Sequence, residues 1–299
     1  MIYDVIVMGG SYAGMAATLQ LVRARRSVLV IDAGERRNRF AAHAHGFLSQ
    51  DGVPPGEIAQ LARRQLEAYP TLTWLEGQAT AITGEVDAFC VTTDSGARQG
   101  RRILLATGVT DQLPDVPGLA QRWGTSVFHC PYCHGYELNQ GRIGIIGSGP
   151  LSLHQAALLT DWGEVTLFTN GACELTPDVR ADLTQRGVTL EETLIAQLDG
   201  HADVVLVDGR RLYFAGLFTA TRTSPASPVA ATLGCALEDS PMGVQVRIDA
   251  EHKTSVPGVF ACGDVARAPH SVSLAVGHGA MAGAQVHRSL VWPESLRPA

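Results

Sequence analysis

The sequence predicts an α/β protein built from Rossmann-like, three-layer nucleotide-binding domains. Two observations lead to this prediction. The order strand, glycine turn, helix, strand occurs twice, once after residue 8 and once after residue 146. The chain has 299 residues, room for about two domains. Its 32 glycines, a high number for this length, indicate many tight turns and close backbone approaches.

The first copy predicts a dinucleotide site. The apolar run IYDVIVM leads into a turn that contains Gly9, Gly10, Ser11 and Gly14, and a helical stretch and a second apolar run then end at Asp32. Such a turn brings backbone N–H groups and a helix N-terminus to a diphosphate, and the acid after the second strand accepts from ribose hydroxyls. Ser11 replaces the middle glycine of the usual motif, and a serine fits there if its φ stays negative.

The second copy has the fold signal without the usual ligand groups. The strand GRIGII is followed by Gly147, Ser148 and Gly149, with Pro150 suited to the first helical position. After the next strand the chain reads TNGACE, which offers neither cations for the 2′-phosphate of NADPH nor an acid for the ribose of NADH. The sequence disfavours NADPH here and leaves open an empty site, weakly bound NADH or another ligand such as a second flavin.

Between the copies lies HCPYCHGYE, residues 129–137, with Cys130 and Cys133 two residues apart. A structural zinc site needs four ligands, usually from two such pairs, so no metal is expected. A structural disulfide would close too short a loop to stabilise a chain of this length much. The pair is therefore predicted to be redox-active, and the four isolated cysteines are predicted to be small buried side chains.

The residues around the pair suit thiol chemistry. Pro131 after Cys130 predicts a short helical turn that ends near Gly135, and free N–H groups there would lower the pKa of the Cys130 thiol. His134 is a candidate acid–base group for these thiols near neutral pH. The other histidines considered, His43, His45, His129 and His278, are expected to be structural.

Three further stretches complete a family resemblance: ILLATGVTDQLPDVPG at 103–118, VPGVFACGDVARAP at 256–269 and SLAVGHGAMAGAQVHRSL at 273–290. Together with the two nucleotide units and the central Cys-Pro-Tyr-Cys, this order resembles the low-molecular-weight thioredoxin reductase family of FAD-dependent disulfide oxidoreductases. The resemblance covers nearly the whole chain.

The resemblance implies how the domains divide and assemble. The FAD-binding domain would be discontinuous, residues 1–113 and 224–299, and an inserted NAD(P)-binding-like domain, 114–223, would carry the CxxC. The joints LPDVPG and TRTSPASP have the composition of hinges. The resemblance also implies a homodimer.

It implies roles for individual residues as well. Cys133 would exchange electrons with the flavin, and Cys130 would react with the partner's sulfur. Asp32 would bind the adenosine ribose and Asp264 the flavin side of the cofactor; Asp111 would be a further residue whose contact with the cofactor stays open. The cofactor-binding residues implied are Gly9, Gly10, Ser11, Gly14, Asp32, Gly108, Gly263 and Asp264.

Local departures from the family point to one branch of it. His134 stands where the family usually has an acid, and the usual Arg-Gln after the Gly-Asp turn is absent. CPYCHGYE is more similar to dithiol oxidases of epidithiol metabolites and to relatives that do not use pyridine nucleotide. We therefore expect an FAD-dependent thiol–disulfide oxidoreductase, not dependent on NADPH, whose partner is a thioredoxin-like protein or a small dithiol or disulfide. The alternatives are an NADPH-dependent thioredoxin reductase and a flavin-loaded redox sensor without turnover.

Composition limits the other function classes. A net charge of −6 argues against a nucleic-acid surface. No apolar run approaches the ~18 residues of a membrane span, and the first residues lack the pattern of a signal peptide. The sequence therefore predicts no membrane or nucleic-acid partner and a cytoplasmic location.

Overall fold

The structure is a computed structural model that describes residues 1–293; residues 294–299, the end of the predicted FAD-binding domain, lie outside the described part. The first elements are β1 (Ile2–Met8), α1 (Tyr12–Arg23), β2 (Val28–Asp32), α2 (Pro55–Glu67), β3 (Leu72–Glu76), β4 (Ala79–Thr83), β5 (Phe89–Thr93), β6 (Gly96–Leu105) and β7 (Val109–Gln112). Next come β8 (Val127–Phe128), α3 (Pro131–His134), β9 (Arg142–Ile146), α4 (Pro150–Leu159), β10 (Glu164–Phe168), α5 (Pro177–Gln185), β11 (Thr189–Glu191), β12 (Ile195–Asp199), β13 (Asp203–Leu206), β14 (Arg211–Tyr213) and β15 (Gly216–Thr219). The last are β16 (Arg222–Pro225), α6 (Val229–Thr232), β17 (Leu237–Ser240), β18 (Gly243–Val246), β19 (Val259–Ala261) and α7 (Val272–Val291).

The chain divides into two compact units. The first unit contains residues 1–37, 55–111 and those from 223 onward, and the second contains 38–54 and 112–222. Residues 38–54 group with the second unit, whereas the sequence analysis assigned them to the FAD-binding domain. Within the second unit, Phe40 packs against Gly124, and His45 lies 3.4 Å from the Glu137 carboxylate.

The first unit has a central sheet with strand order β3-β2-β1-β6-β5-β4, and β19 pairs with β6. The strands β3, β2, β1, β6 and β19 are parallel, so Met8, Ile31, Leu105 and Ala261 end at one edge of the sheet. The glycine turn, Asp32 and the Gly263–Asp264 turn follow these strand ends directly. The carboxyl edge of a parallel sheet is where α/β folds bind nucleotides.

Both faces of this sheet are covered, which explains the nearly continuous apolar strands. Val5 and Val7 of β1 pack with α1 and α7 on one face. Ile6 and Met8 face the opposite side, where α6 and β18 complete the core. The unit is therefore three-layered, as predicted.

The long helix α7 lies directly against α1 because glycines let the two backbones touch. An added Cβ on Gly279 would overlap the Ala13 carbonyl, and one on Gly283 would come within 2.5 Å of the Ala17 carbonyl oxygen. Although α7 has 20 residues, no helix within residues 1–293 is both long and apolar enough to cross a membrane.

The second unit repeats the parallel-sheet architecture. Its five strands have the order β11-β10-β9-β15-β8 and are all parallel. Helices α4 and α5 cover one face through Leu159 and Leu183. The antiparallel strands β12, β13 and β14 cover the other face through Leu198 and Val204.

Candidate active site

Cys130 and Cys133 are joined by a disulfide at the start of α3 in the second unit, with their Cα atoms 5.4 Å apart. Cys130 is the N-cap, in extended backbone conformation, and Pro131 is the first helical residue. The Cys133 N–H donates to the Cys130 carbonyl at 3.2 Å, which fixes the two cysteines on one turn. Both cysteines are partly exposed, so a partner sulfur has access to the bond.

The end of this turn packs against the Trp162 ring at Gly135. An added Cβ on Gly135 would lie 2.8 Å from both the Trp162 ring and the Pro131 carbonyl oxygen, so glycine is required there. The Tyr132 and Trp162 rings pack edge to face, with their centroids 5.3 Å apart, and Tyr132 is 71% exposed. Tyr136 is 85% exposed. The disulfide is thus carried on a well-packed turn with two exposed tyrosines.

His134 is stacked on Phe128, with ring centroids 4.1 Å apart. Burial of the ring, and then the nearby His45, lower the pKa of His134 to about 4. In the disulfide state the ring is therefore neutral near pH 7 and can accept a proton, whereas an ordinary histidine there would be partly protonated. The acid–base role of His134 remains a prediction, and with this pKa it would be the role of a base.

His45 lies between two carboxylates of the second unit. Its Nδ1 is 3.6 Å from Asp51 and its Nε2 is 3.4 Å from Glu137, which follows the CxxC turn. His45 was expected to be structural, and its pairing with Glu137 has no local sequence signal because 92 residues separate the two. Its position beside both Glu137 and His134 makes it part of the electrostatic surroundings of the disulfide.

The predicted glycine turn of the first unit is tightly built. Gly9 has φ 102°, and its N–H donates to the Ile31 carbonyl at 2.8 Å. The Gly10 N–H donates to Asp32 Oδ1 at 3.0 Å. An added Cβ on Gly14 would overlap the Gly9 carbonyl. Ser11, with φ −86°, caps α1 without left-handed strain, which is the condition for a serine at this place in the motif.

These residues fit a dinucleotide. The Gly9 and Gly10 N–H groups already have acceptors, so the N–H groups of the first turn of α1, which have no partner within the helix, are the ones that a diphosphate would meet. Gly108, with φ 69°, follows β6, and no atom lies within 4 Å of where its Cβ would be. Gly263, with φ 73°, approaches Ala13 and is held by a hydrogen bond from its N–H to His278 Nδ1 at 3.0 Å. His278 thus accepts a hydrogen bond from the turn at Gly263, and its structural role remains a prediction.

Side chains of the second unit contact its glycine turn at Ser148 and Gly147, whereas the space beside Gly149 is open. Ser148 donates to the Ala220 carbonyl at 2.6 Å, and the Cys173 thiol donates to the Gly149 carbonyl at 3.4 Å. Cys173 Sγ would lie 2.9 Å from a Cβ on Gly147. Cys173 is only partly buried, and it fills space beside the turn.

The arginines that follow β10 are already paired with carboxylates. Arg180 binds Glu192 at 2.9 Å, and Arg210 binds both Glu191 and Asp208 at 2.7 Å. Arg210 and the neighbouring Thr193 lower the pKa of Glu191 to about 2, so this carboxylate stays charged. Within the described residues no group of three or more His, Cys, Asp or Glu side chains is placed to hold a metal.

Comparison with known proteins places this geometry in context. The family described as pyridine nucleotide-disulphide oxidoreductase matches residues 3–279. Thioredoxin reductase aclD of Aspergillus oryzae is 32% identical over 99% of this chain and 99% of its own. Thioredoxin reductase tcpT of Claviceps purpurea is 32% identical over 99% and 98%, respectively. The crystal structure of an oxidoreductase from Agrobacterium tumefaciens has a TM-score of 0.96 and 55% identity, covering 98% of this chain and 100% of that chain.

Proposed function

We propose that this chain, which belongs to the pyridine nucleotide-disulphide oxidoreductase family, passes electrons between FAD and a partner dithiol or disulfide through Cys130 and Cys133, without depending on NADPH. The family and the predicted fold class are confirmed: the chain is a flavin-dependent disulfide oxidoreductase of the thioredoxin reductase type. The observation that carries the proposal is the Cys130–Cys133 disulfide on its own helical turn beside His134.

The first unit would hold the cofactor. Gly9, Gly10, Ser11 and Gly14 would bind the diphosphate, and Asp32 would bind the adenosine ribose. Gly108, Gly263 and Asp264 would line the remaining part of the site. When bound, FAD supplies a two-electron acceptor and donor that can react with a dithiol.

In the oxidase direction a partner dithiol reduces the cysteine pair. One partner thiolate attacks Cys130 Sγ, the Cys130–Cys133 bond breaks, and Cys133 leaves as a thiolate. The second partner thiol displaces Cys130, so the partner gains a disulfide and the two cysteines gain the electron pair. The reduced cysteines would then pass the two electrons to bound FAD, from which oxygen or another acceptor would take them. His134, neutral near pH 7, would take a proton from the reacting thiols.

The second unit supports independence from NADPH. The Ser148 and Cys173 side chains occupy the surroundings of its glycine turn, and Arg180 and Arg210 already neutralise nearby carboxylates. A 2′-phosphate would have to compete with those carboxylates for its cations. An empty site, weak NADH binding and another ligand such as a second flavin are the remaining alternatives for this unit.

A reductase direction is the second candidate, and it is favoured by the two fungal relatives, both of which are named thioredoxin reductases. Electrons would then run from a donor through FAD and Cys133 to Cys130 and a partner disulfide. A thioredoxin-like protein or a small dithiol or disulfide suits either direction, because Tyr132 and Tyr136 offer exposed aromatic surface next to the cysteines. A homodimer and a cytoplasmic location remain predictions.

Single-cysteine variants test the relay. Cys130→Ser and Cys133→Ser should each keep bound FAD yet lower turnover with a small dithiol to about a thousandth of wild type or less, because neither can re-form the disulfide. Cys173→Ser, in the same unit, is the matched control and should turn over normally. Full turnover by both single-cysteine variants would show that the pair is not the relay, and a flavin-loaded protein that changes redox state without turnover would favour the sensor alternative.

A further inference from the structure

The Arg37 guanidinium lies between two carboxylates of the first unit, those of Asp111 and Asp264. No motif in the sequence includes Arg37. Its Nε and one terminal nitrogen donate to both oxygens of Asp111 at 2.8 and 2.6 Å. Its other terminal nitrogen donates to Asp264 Oδ2 at 3.3 Å. The Asp111 side chain is only 6% exposed. Because two carboxylates that lie side by side repel each other, the Arg37 guanidinium, which bonds both, offsets the repulsion between the buried Asp111 and the partly exposed Asp264.

His270 joins the same cluster from the loop that precedes α7. The residue is 8% exposed, and its ring is hydrogen-bonded to the backbone of Asp264. Its Nδ1 is buried and has no hydrogen-bond partner among the described residues. A buried polar atom without a partner is costly, and such atoms at functional sites are commonly satisfied by a ligand.

The cluster lies at the edge of the sheet where the glycine turn lies. Asp264 follows β19, which pairs with β6, and β6 also pairs with β1, the strand that leads into Gly9. Asp111 lies on β7, close after the end of β6. These residues thus stand on the cofactor edge of the first unit, apart from the diphosphate turn.

We propose that Arg37, Asp111, Asp264 and His270 form a second polar subsite for FAD, in which His270 Nδ1 accepts a hydrogen bond from the cofactor and Arg37 is the positioning residue that holds Asp264. The proposal rests on the FAD binding of the proposed function. It adds Arg37 and His270 to the predicted cofactor residues and gives Asp111 a defined role.

The protonation state of the His270 ring decides which ligand groups its Nδ1 can bind. Burial, and then the charge of Arg37, lower the pKa of His270, whereas Asp264 and Asp111 act in the opposite direction. The ring is therefore neutral near pH 7. With its other nitrogen donating to the Asp264 backbone, Nδ1 is an acceptor. FAD offers donors for it, namely the hydroxyls of its sugar-alcohol chain and the imide N–H of the flavin.

The test is the FAD dissociation constant of the purified protein, measured by equilibrium dialysis from about pH 5 to pH 8. His270→Leu should weaken FAD binding about tenfold near pH 7, the usual value of one hydrogen bond, and His270→Gln, which keeps an acceptor, should bind nearly as wild type does. Arg37→Gln should weaken binding tenfold or more, and Arg37→Lys should recover part of the loss. Arg23→Gln, an exposed arginine of α1 that bonds the Tyr69 hydroxyl, is the control and should change nothing.

The pH dependence separates a cofactor contact from a structural role. Protonation of His270 removes its acceptor, so wild-type affinity should fall as the pH drops below the ordinary histidine range, and His270→Leu should lack this fall. Equal affinity of His270→Leu and wild type at every pH would overturn the role of His270. Loss of stability in Arg37→Gln with unchanged FAD affinity would overturn the role of Arg37. A wild-type protein that binds no FAD would instead contradict the proposed function.

Discussion

At the scale of single residues, the proposed base is His134, which follows Cys133 in the sequence and is neutral near pH 7. Its ring is stacked on Phe128, and burial together with the nearby His45 keeps its pKa at about 4. A base with so low a pKa is weak but remains unprotonated over the whole neutral range. The imidazole would therefore contribute as a base without depending on small changes in pH around 7.

Replacement of His134 by Ala should lower the rate at which a small dithiol reduces the disulfide about a hundredfold at pH 7, because general-base assistance is lost. In the wild type this contribution is present above about pH 4 and disappears as the pH falls through that value, since protonation removes the base. The variant should lack this dependence. Stopped-flow measurement of flavin reduction between about pH 4 and pH 8 checks both expectations.

His154→Gln, an exposed histidine of α4, should leave the profile unchanged and serves as the control. His45→Gln should move the acid limb to higher pH, because the repulsion that lowers the pKa of His134 is removed. An identical profile for His134→Ala and wild type would make His134 a bystander.

Functional residues that belong to one short motif can be predicted from the sequence, whereas residues whose contacts lie far away along the chain cannot. The cysteine pair, the Gly9–Gly10 turn and Asp32 are recognisable because the motif itself fixes their spacing. Arg37 contacts Asp264, 227 positions away, and His45 contacts Glu137 across a gap of 92 residues. Nothing within a window of neighbouring residues indicates such pairs, so they become visible only when the fold is known.

At the scale of elements, the packing of α7 on α1 holds the turn at Asp264 near the glycine turn that contains Gly9. Gly279 and Gly283 of α7 face the backbone at Ala13 and Ala17. The sequence predicts a small-residue helix after the Gly-Asp turn, since glycine and alanine recur in it. It does not predict which helix those small residues touch, because that depends on the order of strands in the sheet.

Gly283→Ala should destabilise the protein by about 1–3 kcal/mol, since the added methyl must push the two helices apart. Gly56→Ala, in the first turn of α2 with no atom near its Cβ, should be neutral or stabilising by up to about 1 kcal/mol. Urea unfolding followed by far-UV circular dichroism measures both changes. Equal stability of the two variants would show that the α1–α7 contact tolerates a wider spacing.

The second nucleotide unit shows how an element can be predicted while its use is not. The strand, turn and helix signals of GRIGIIGSGP indicate a Rossmann unit, and the parallel sheet around β9 has this form. That Cys173 fills the space beside Gly147 and that Arg210 is paired with Glu191 depend on side chains of separate strands. The sequence indicates only that cations are missing after the second strand; the structure adds that Arg180 and Arg210 already have carboxylate partners.

At the scale of the whole molecule, the proposed function is the transfer of electrons from a dithiol partner to FAD. A dithiol partner would enter at Cys130 and Cys133 of the second unit, and the flavin of the first unit would receive the electron pair. The second glycine turn would take no part as an NADPH site. The family and fold are established by the match over residues 3–279 and by the oxidoreductase structure at a TM-score of 0.96, whereas the donor and partner are proposals.

The most direct test of this route is an anaerobic titration of the purified holoprotein, first with NADPH, then with NADH and then with a small dithiol such as dithiothreitol, while the visible absorbance of the flavin is followed. We predict no bleaching by either nucleotide and full bleaching by about four electron equivalents of the dithiol, two for the Cys130–Cys133 disulfide and two for the flavin. Rapid bleaching by near-stoichiometric NADPH would contradict this prediction, because the second unit would then bind the nucleotide although Arg180 and Arg210 are paired with carboxylates. The chain would then be an NADPH-dependent thioredoxin reductase.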